Sequence, residues 1–276
     1  MKIFFGILLI ALSLSAQAPS PSQVKGKQVI DAALEALGGP RYLSMQDRIE
    51  EGRLYSFYRN RLAGASRARV YTRYLTRSEP PKPGFFGQRE HQSYGKDKSK
   101  DKNNKEDQAI LFNEEGGFEL NFKGATPLPK DVYDRHSDSM QRNIFYILRQ
   151  RLSEKGMIFE FQENTTFENL PVEVVNITDD ENRMVKVFFN HTTHLPLRQV
   201  FTRRNPLTKE LDEEVTIFTK YRDVGHGVMW PYSLVRHRNG EKIFEMFSES
   251  VTINQGVLDN MFMIPPGVKI NESKRR

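Results

Sequence analysis

Three clusters of titratable residues stand close enough together in the chain to be weighed as chemistry. His191-Thr192-Thr193-His194 is the one close histidine pair. Residues three apart on a strand point to opposite faces, so these imidazoles could share a metal only across a turn. No acidic or cysteine cluster adjoins them, and no HExxH spacing occurs. They read as turn or surface histidines, and no metal site is expected. His226, between Gly225 and Gly227, reads as a turn residue rather than a base. Asp179-Asp180-Glu181 and Asp212-Glu213-Glu214 read as solvated clusters, not as general acid–base pairs. The chain has no G-x-S-x-G, no Walker loop and no G-x-G-x-x-G. It also has no cysteine. That excludes a thiolate nucleophile, a Cys-ligated zinc or iron–sulfur site, a disulfide scaffold and acylation at an N-terminal cysteine. No catalytic residue and no cofactor is expected.

The distinctive chemistry is cationic. Arg53, Arg59, Arg61, Arg67, Arg69, Arg73 and Arg77 fall within 25 residues that hold no acid. Arg67, Arg69 and Arg73 share one strand parity, while Val70, Thr72 and Tyr74 share the other. One reading is a solvated strand face whose charges pair with acids elsewhere. The other is a contact for anionic head groups or a membrane surface.

These residues need elements to position them. Val29, Ala32, Ala33, Ala36 and Leu37 fall at helical spacing within residues 24–37, and Gly38-Gly39-Pro40 ends that helix. The Pro/Ser-rich residues 19–23 before it read as linker. From residue 48 the period changes to two. Strands are expected at 49–58 and 68–76 around a loop at 60–64. A third is expected at 85–94 after Pro80-Pro81-Lys82-Pro83-Gly84. Residues 95–107 contain no apolar side chain, so a solvated, flexible Lys/Asp-rich loop is expected there. Residues 109–112 and 118–122 flank a hairpin at 113–117. Residues 131–155 read as one long second helix, with Met140, Ile144, Ile147 and Leu148 as its stripe and Gly156 as its end. Strands follow at 157–164, 172–178, 184–189, 197–203, 213–221, 229–238 and 242–253. Asn239-Gly240 is the strongest hairpin signal in the chain.

So many antiparallel strands with two helices predict an α+β, mostly antiparallel architecture. A long sheet with apolar residues on both faces must be covered or closed. The expectation is an unclosed, strongly curved, barrel-like sheet with helices over its concave face, leaving an apolar groove between them.

The two ends of the chain explain most of its charge. Lys2, an apolar run at residues 3–14, and the small residues Ser13, Ser15, Ala16 and Ala18 form the pattern of a secretory signal peptide. The run is shorter than the roughly 20 residues that span a bilayer. Residues 1–18 are therefore read as the signal and 19–276 as a single domain. The chain of 276 residues carries a formal net charge of +6. One of these charges belongs to the signal, one to the loop at 96–107 and three to the tail at 269–276, which leaves about +1 for the body. That is no nucleic-acid signature, and none is expected as partner.

The closing hundred residues carry an ordered series of signals. Asp180-Glu181-Asn182-Arg183-Met184-Val185 leads to Thr193-His194-Leu195-Pro196. Phe218-Thr219-Lys220-Tyr221-Arg222-Asp223-Val224-Gly225 and Gly227-Val228-Met229-Trp230-Pro231 follow. The series ends at Leu258-Asp259-Asn260 and Phe262-Met263-Ile264-Pro265-Pro266-Gly267. In this order the chain resembles the LolA-like, outer-membrane lipoprotein-sorting superfamily of Gram-negative bacteria. The resemblance implies an open antiparallel barrel with helices on its concave face, and non-catalytic carriage of lipid or lipoprotein acyl chains in the periplasm by a monomer. The groove candidates, chosen by strand parity, are Tyr55, Phe57, Val70, Tyr74, Phe159, Phe161, Val185, Val187, Val200 and Leu234. Ile144, Ile147 and Leu148 would face them from the covering helix. Arg67, Arg69 and Arg73 are the head-group candidates. The alternative is a cell-envelope protein-interaction or scaffolding module with a filled core. An envelope hydrolase with an unrecognised site is the least supported reading.

Overall fold

The computed structural model describes residues 18–75, 87–95, 108–205 and 208–272. All but Ala18 of the expected signal peptide, the Pro80–Gly84 breaker, all but Gly95 of the Lys/Asp-rich loop, and Pro206 lie outside these residues.

The chain opens with helix α1 (Pro21–Ala36) and a single turn, α2 (Pro40–Leu43). α1 begins three residues before the expected start. Ser20 accepts from the Gln23 backbone N–H while the Gln23 side chain accepts from the Ser20 backbone, and Pro21 supplies a preset φ. The expected linker is thus partly helix.

Six strands follow as a meander: β1 (Asp47–Tyr58), β2 (Arg61–Tyr74), β3 (Gln88–Gly95), β4 (Gln108–Asn113), β5 (Gly116–Asn121) and β6 (Gly124–Pro127). The loop expected at 60–64 is only Arg59-Asn60, both at positive φ, so the β1–β2 hairpin is longer and tighter than its sequence suggested. After the helical segment a second meander holds β7 (Ile158–Phe167), β8 (Leu170–Thr178), β9 (Met184–Asn190) and β10 (Pro196–Arg204). It ends with β11 (Leu211–Asp223), β12 (Met229–Arg238) and β13 (Glu241–Ile253). β1 pairs with β13, which fuses the two meanders into one antiparallel sheet of 13 strands, ordered β6-β5-β4-β3-β2-β1-β13-β12-β11-β10-β9-β8-β7.

The sheet stays open, so β6 and β7 are its two edges. Sequence neighbours thereby become opposite ends, and the segment joining them must cross the concave face. That segment carries the helical cover. It is not the one long helix expected at 131–155. It divides into α3 (Lys130–Gln141) and α4 (Ile144–Tyr146), which runs on as a π-helical turn, Ile147–Arg151. The break sits at Asn143. Its side chain caps the N–H groups of Phe145 and Tyr146 at 3.0 and 3.2 Å, and Gln199 from β10 takes the Ile144 N–H at 3.0 Å. Capping at this point competes with continuing the helix.

Each edge is protected. The segment after Val268 bonds to β6 through Ala125, which donates to Lys269 O at 2.9 Å and accepts from Asn271 N at 2.8 Å. α1 lies on β7, where Ser22 Oγ donates to Phe161 O at 2.9 Å. The core gathers under the cover. Val29, Ile30, Ala33 and Leu37 from α1 meet Ile144, Phe145, Ile147 and Leu148. Beneath them lie Val175, Ile177, Val185, Val187, Phe189 and Phe218 from the sheet.

Two carboxylates read as solvated prove buried. Asp179 accepts from the Arg151 guanidinium at 3.0 Å, from Arg183 Nε at 2.7 Å and from two backbone N–H groups, and is 4% exposed. Glu214 bridges Arg203 at 2.5 Å and Arg238 at 2.8 Å. Arg183 is only four residues from Asp179, but Arg151, Arg203 and Arg238 come from other elements, which the local sequence does not reveal. Burial alone would raise the Asp179 carboxyl, but the Arg183 backbone, the Arg183 side chain and Arg151 together hold it below the ordinary carboxylate range. Its stabilising contribution is therefore complete above the unfolded pKa of about 4 and is lost as pH falls through the lower folded value. Asp179→Asn is expected to cost about 2–3 kcal/mol at pH 7. Urea unfolding at pH 7 and pH 3 checks this, and the deficit should shrink at the lower pH.

Candidate ligand cavity on the concave face

Only part of the concave face is filled. Beside the core, under α3 and over β1–β3 and β11–β13, lies a hollow of about 270 Å³. Its apolar wall includes Leu54, Val70, Leu234, Phe244, Met246 and Trp230. A second hollow of about 440 Å³ shares Leu54, Tyr94 and Phe244 with the first and continues past Ala65, Ser66 and Ile110. Together they form a path from the covered interior towards the β1–β2 hairpin end of the sheet.

The inner end of this path is polar. Arg48, on β1, is buried with its guanidinium 4.0 Å from the Trp230 ring centroid. It donates to Thr72 Oγ1 at 3.1 Å and Tyr74 OH at 3.5 Å, and its Nε lies 3.7 Å from Glu50. Burial opposes its charge, but Tyr74, Glu50 and Glu90 outweigh that and raise its pKa. On β3, Gln88 and Gln92 each donate to one oxygen of Glu90, at 3.0 and 2.8 Å. Tyr94 OH donates in turn to Gln92 at 2.8 Å, and burial pushes its phenol up to about 12. From α3, His136 stacks on Phe112 with ring centroids 3.7 Å apart. Burial, reinforced by Arg236 and opposed by Glu90, lowers the His136 pKa and keeps the imidazole neutral at pH 7.

The expected groove residues divide into three groups. Val70, Tyr74 and Leu234 line the hollow. Ile144, Ile147, Leu148, Phe159, Val185 and Val187 are buried in the filled core, and Phe161 packs against it. Tyr55, Phe57 and Val200 lie on the opposite face. In β1 it is Arg48, Glu50 and Leu54 that turn inwards, so Tyr55 meets Phe247 edge-on outside and Phe57 sits beneath Lys242. In β10, Gln199 and Phe201 turn inwards, which places Val200 outside. The parity of β2 is as expected. Arg67 pairs with Glu249 at 2.7 Å, Arg69 with Glu51 at 2.7 Å, and Arg73 lies 3.8 Å from both Asp47 and Asp259. This outer cationic row is therefore matched by acids of β1, β13 and the closing segment.

Apolar periodicity points to hydrophobic residues as the inner face and so does not disclose this polar lining. A signal did exist. β3 reads QREHQSYG and has no aliphatic residue, although β2 and β4 flank it. A covered strand polar on both faces requires polar partners inside. His191 and His194 sit at the β9–β10 turn, His194 at positive φ, and His226 is a turn residue whose carbonyl accepts from Arg41 at 2.8 Å. Among the described residues no three His, Asp or Glu side chains are grouped to hold a metal.

No protein-family model matches the sequence, and no curated protein matches it. Solved structures do match. One is a domain described as an outer-membrane lipoprotein-sorting protein from Vibrio parahaemolyticus. It has a TM-score of 0.53 and 12% identity, over 86% of this chain and 97% of that one. A second is a DUF1329 family protein from Desulfovibrio piger, with a TM-score of 0.51 and 11% identity, over 86% of this chain and 96% of that one. A LolA superfamily protein from Nitrosomonas europaea aligns at a TM-score of 0.49 and 11% identity, over 86% and 97%. At such identity a likeness speaks for architecture alone. The chain has the open, mostly antiparallel LolA-like fold of the lipoprotein-sorting domain.

Proposed function

We propose that this protein is a non-catalytic periplasmic binder or carrier of a hydrophobic or amphiphilic ligand, with lipid or lipoprotein acyl chains as the natural class. The observation that carries this reading is the unfilled part of the concave face, walled by Leu54, Val70, Leu234, Phe244 and Met246. An alkyl chain buried there gains about 0.8 kcal/mol per methylene, so a dozen carbons supply ample affinity without any catalytic group. The LolA-like fold supports the reading, as does the export pattern of residues 1–18. Among the described residues no helix is long and apolar enough to cross a membrane.

The single tryptophan, Trp230, lines the hollow and can report on occupancy. Protein isolated from a bacterial periplasm should carry alkyl lipid in native mass spectrometry. An added acyl ligand should change Trp230 fluorescence. Leu234→Trp fills the wall and is expected to weaken uptake at least tenfold while the fold, followed by circular dichroism, persists. Absence of co-purified lipid together with no acyl uptake would sink the reading. A second reading is favoured by the filled half of the concave face: an envelope protein-interaction module. It predicts one specific protein in a cross-linking pull-down and no lipid.

A further inference from the structure

The polar end of the hollow is lined by two arginines, Arg48 and Arg236, and by the carboxylates Glu50 and Glu90. Three carboxylates stand around it, and each has partners. Glu90 accepts from Gln88 and Gln92, Glu50 accepts from Ser248 and lies against Arg48, and Glu214 is held between Arg203 and Arg238. Arg236 has none of this. It lines the same hollow from β12, its guanidinium lies 5.3 Å from the Phe244 ring, and among the described residues it donates no hydrogen bond and makes no ion pair. It is exposed within the hollow, open to whatever enters. The surrounding protein nonetheless removes enough water to press its pKa down. The buried Arg48 Nε, in the same lining, also lacks a hydrogen-bond partner. A guanidinium presents five N–H donors in a planar fork that fits an oxyanion. Tetrahedral and planar oxyanions both suit this fork, and Arg236 has its donors free to receive one.

We propose that Arg236, backed by Arg48, receives the monoanionic oxyanion head of a single-chain amphiphile that enters head first. Its alkyl tail runs outwards over Leu54, Phe244 and Ile110 towards the second hollow. About 270 Å³ around the guanidinium suits a compact head on one chain, not a bulky diacyl head group. The inference rests on the carrier reading and narrows it to a ligand charge and polarity of entry.

The test compares four ligands of equal chain length on the full chain, read by Trp230 fluorescence and calorimetry. They are dodecanoate, dodecyl phosphate, dodecanol and dodecyltrimethylammonium. At least one of the two anions should bind about 10- to 100-fold tighter than the alcohol and the cation, the range of a charge-assisted hydrogen-bonded contact. Which anion binds tighter separates a carboxylate ligand from a phosphate one. In Arg236→Met the ratio of anion to alcohol affinity should fall to about one, while Arg236→Lys should keep part of it. Equal binding of alcohol and anions by the unmodified protein overturns the head-first proposal and leaves the carrier reading standing. No binding of any of the four overturns both. The comparison on the unmodified protein decides the matter even if a variant fails to fold.

Discussion

Arg149→Met is expected to destabilise the protein by about 3–5 kcal/mol. The guanidinium is buried in the helical cover and donates to three carbonyls at the end of α2 and just after it. Two contacts, to Tyr42 O and Leu43 O, measure 2.6 and 2.5 Å, and the third goes to Met45 O. It also stacks over Tyr74, 4.2 Å from the ring centroid. Methionine keeps the bulk but leaves those carbonyls, two of them buried, without their donor, and each buried loss costs about 1–3 kcal/mol. Tyr42 adds a second tie, since its hydroxyl donates to Phe145 O at 2.7 Å, and burial holds that phenol protonated. The two side chains fasten the entry to the sheet onto the cover that crosses it. At about 2–4 °C per kcal/mol the melting temperature should drop by roughly 10 °C. A drop no larger than that of the exposed Arg59→Met would contradict this account.

Gly26→Ala should also destabilise, by about 1–3 kcal/mol, and here the sign itself is diagnostic. In an ordinary helix interior this exchange gains close to 1 kcal/mol, because alanine is the better helix former. Gly26 faces β7 at a distance that admits no side chain. A Cβ would lie 2.5 Å from Phe159 O and 2.8 Å from Phe161 N, both backbone atoms of a paired strand that cannot rotate away. α1 would have to lift, and with it the burial of Val29, Ile30 and Ala33. Lifting α1 also uncovers the β7 edge, so the variant should show faster limited proteolysis and more association at high concentration. Lys27→Ala, one residue on, is the control and should be near neutral. Stabilisation by Gly26→Ala would show that α1 does not sit on β7 as closely as described.

Both predictions concern contacts that no local pattern announces. The acceptors of Arg149 lie more than 100 residues earlier in the chain, and Gly26 meets a strand 133 residues later. Arginine and glycine carry no periodic signal. The same reason explains Asp179 and Glu214, which are acidic residues beside turns until Arg151, Arg203 and Arg238 arrive from elsewhere. It also explains Asn143. Its neighbours have helical spacing, and the break appears only when Gln199 competes for the Ile144 N–H.

The elements themselves were legible. Alternation at period two marked nearly every strand, Asn239-Gly240 marked its hairpin, and the stripe on α1 marked the face that packs. These are properties of the chain over a few residues, where backbone geometry alone sets the period. The open, curved antiparallel sheet with a helical cover followed from counting strands against helices. Which face of each strand became concave did not follow. In β2 the apolar parity turned inwards. In β1 Tyr55 and Phe57 turned outwards while Leu54 turned in, and in β10 Val200 turned outwards while Phe201 turned in, because alternation defines two faces without naming either. The choice falls to the neighbouring strands, to bulges such as that opposite Gly52, and to the cover. The polar lining around Arg48, Glu90 and Arg236 depends on that choice. Arg48 is held inwards by Thr72 and Tyr74 of β2, and only the tertiary structure sets it, Glu90 of β3 and Arg236 of β12 around one hollow.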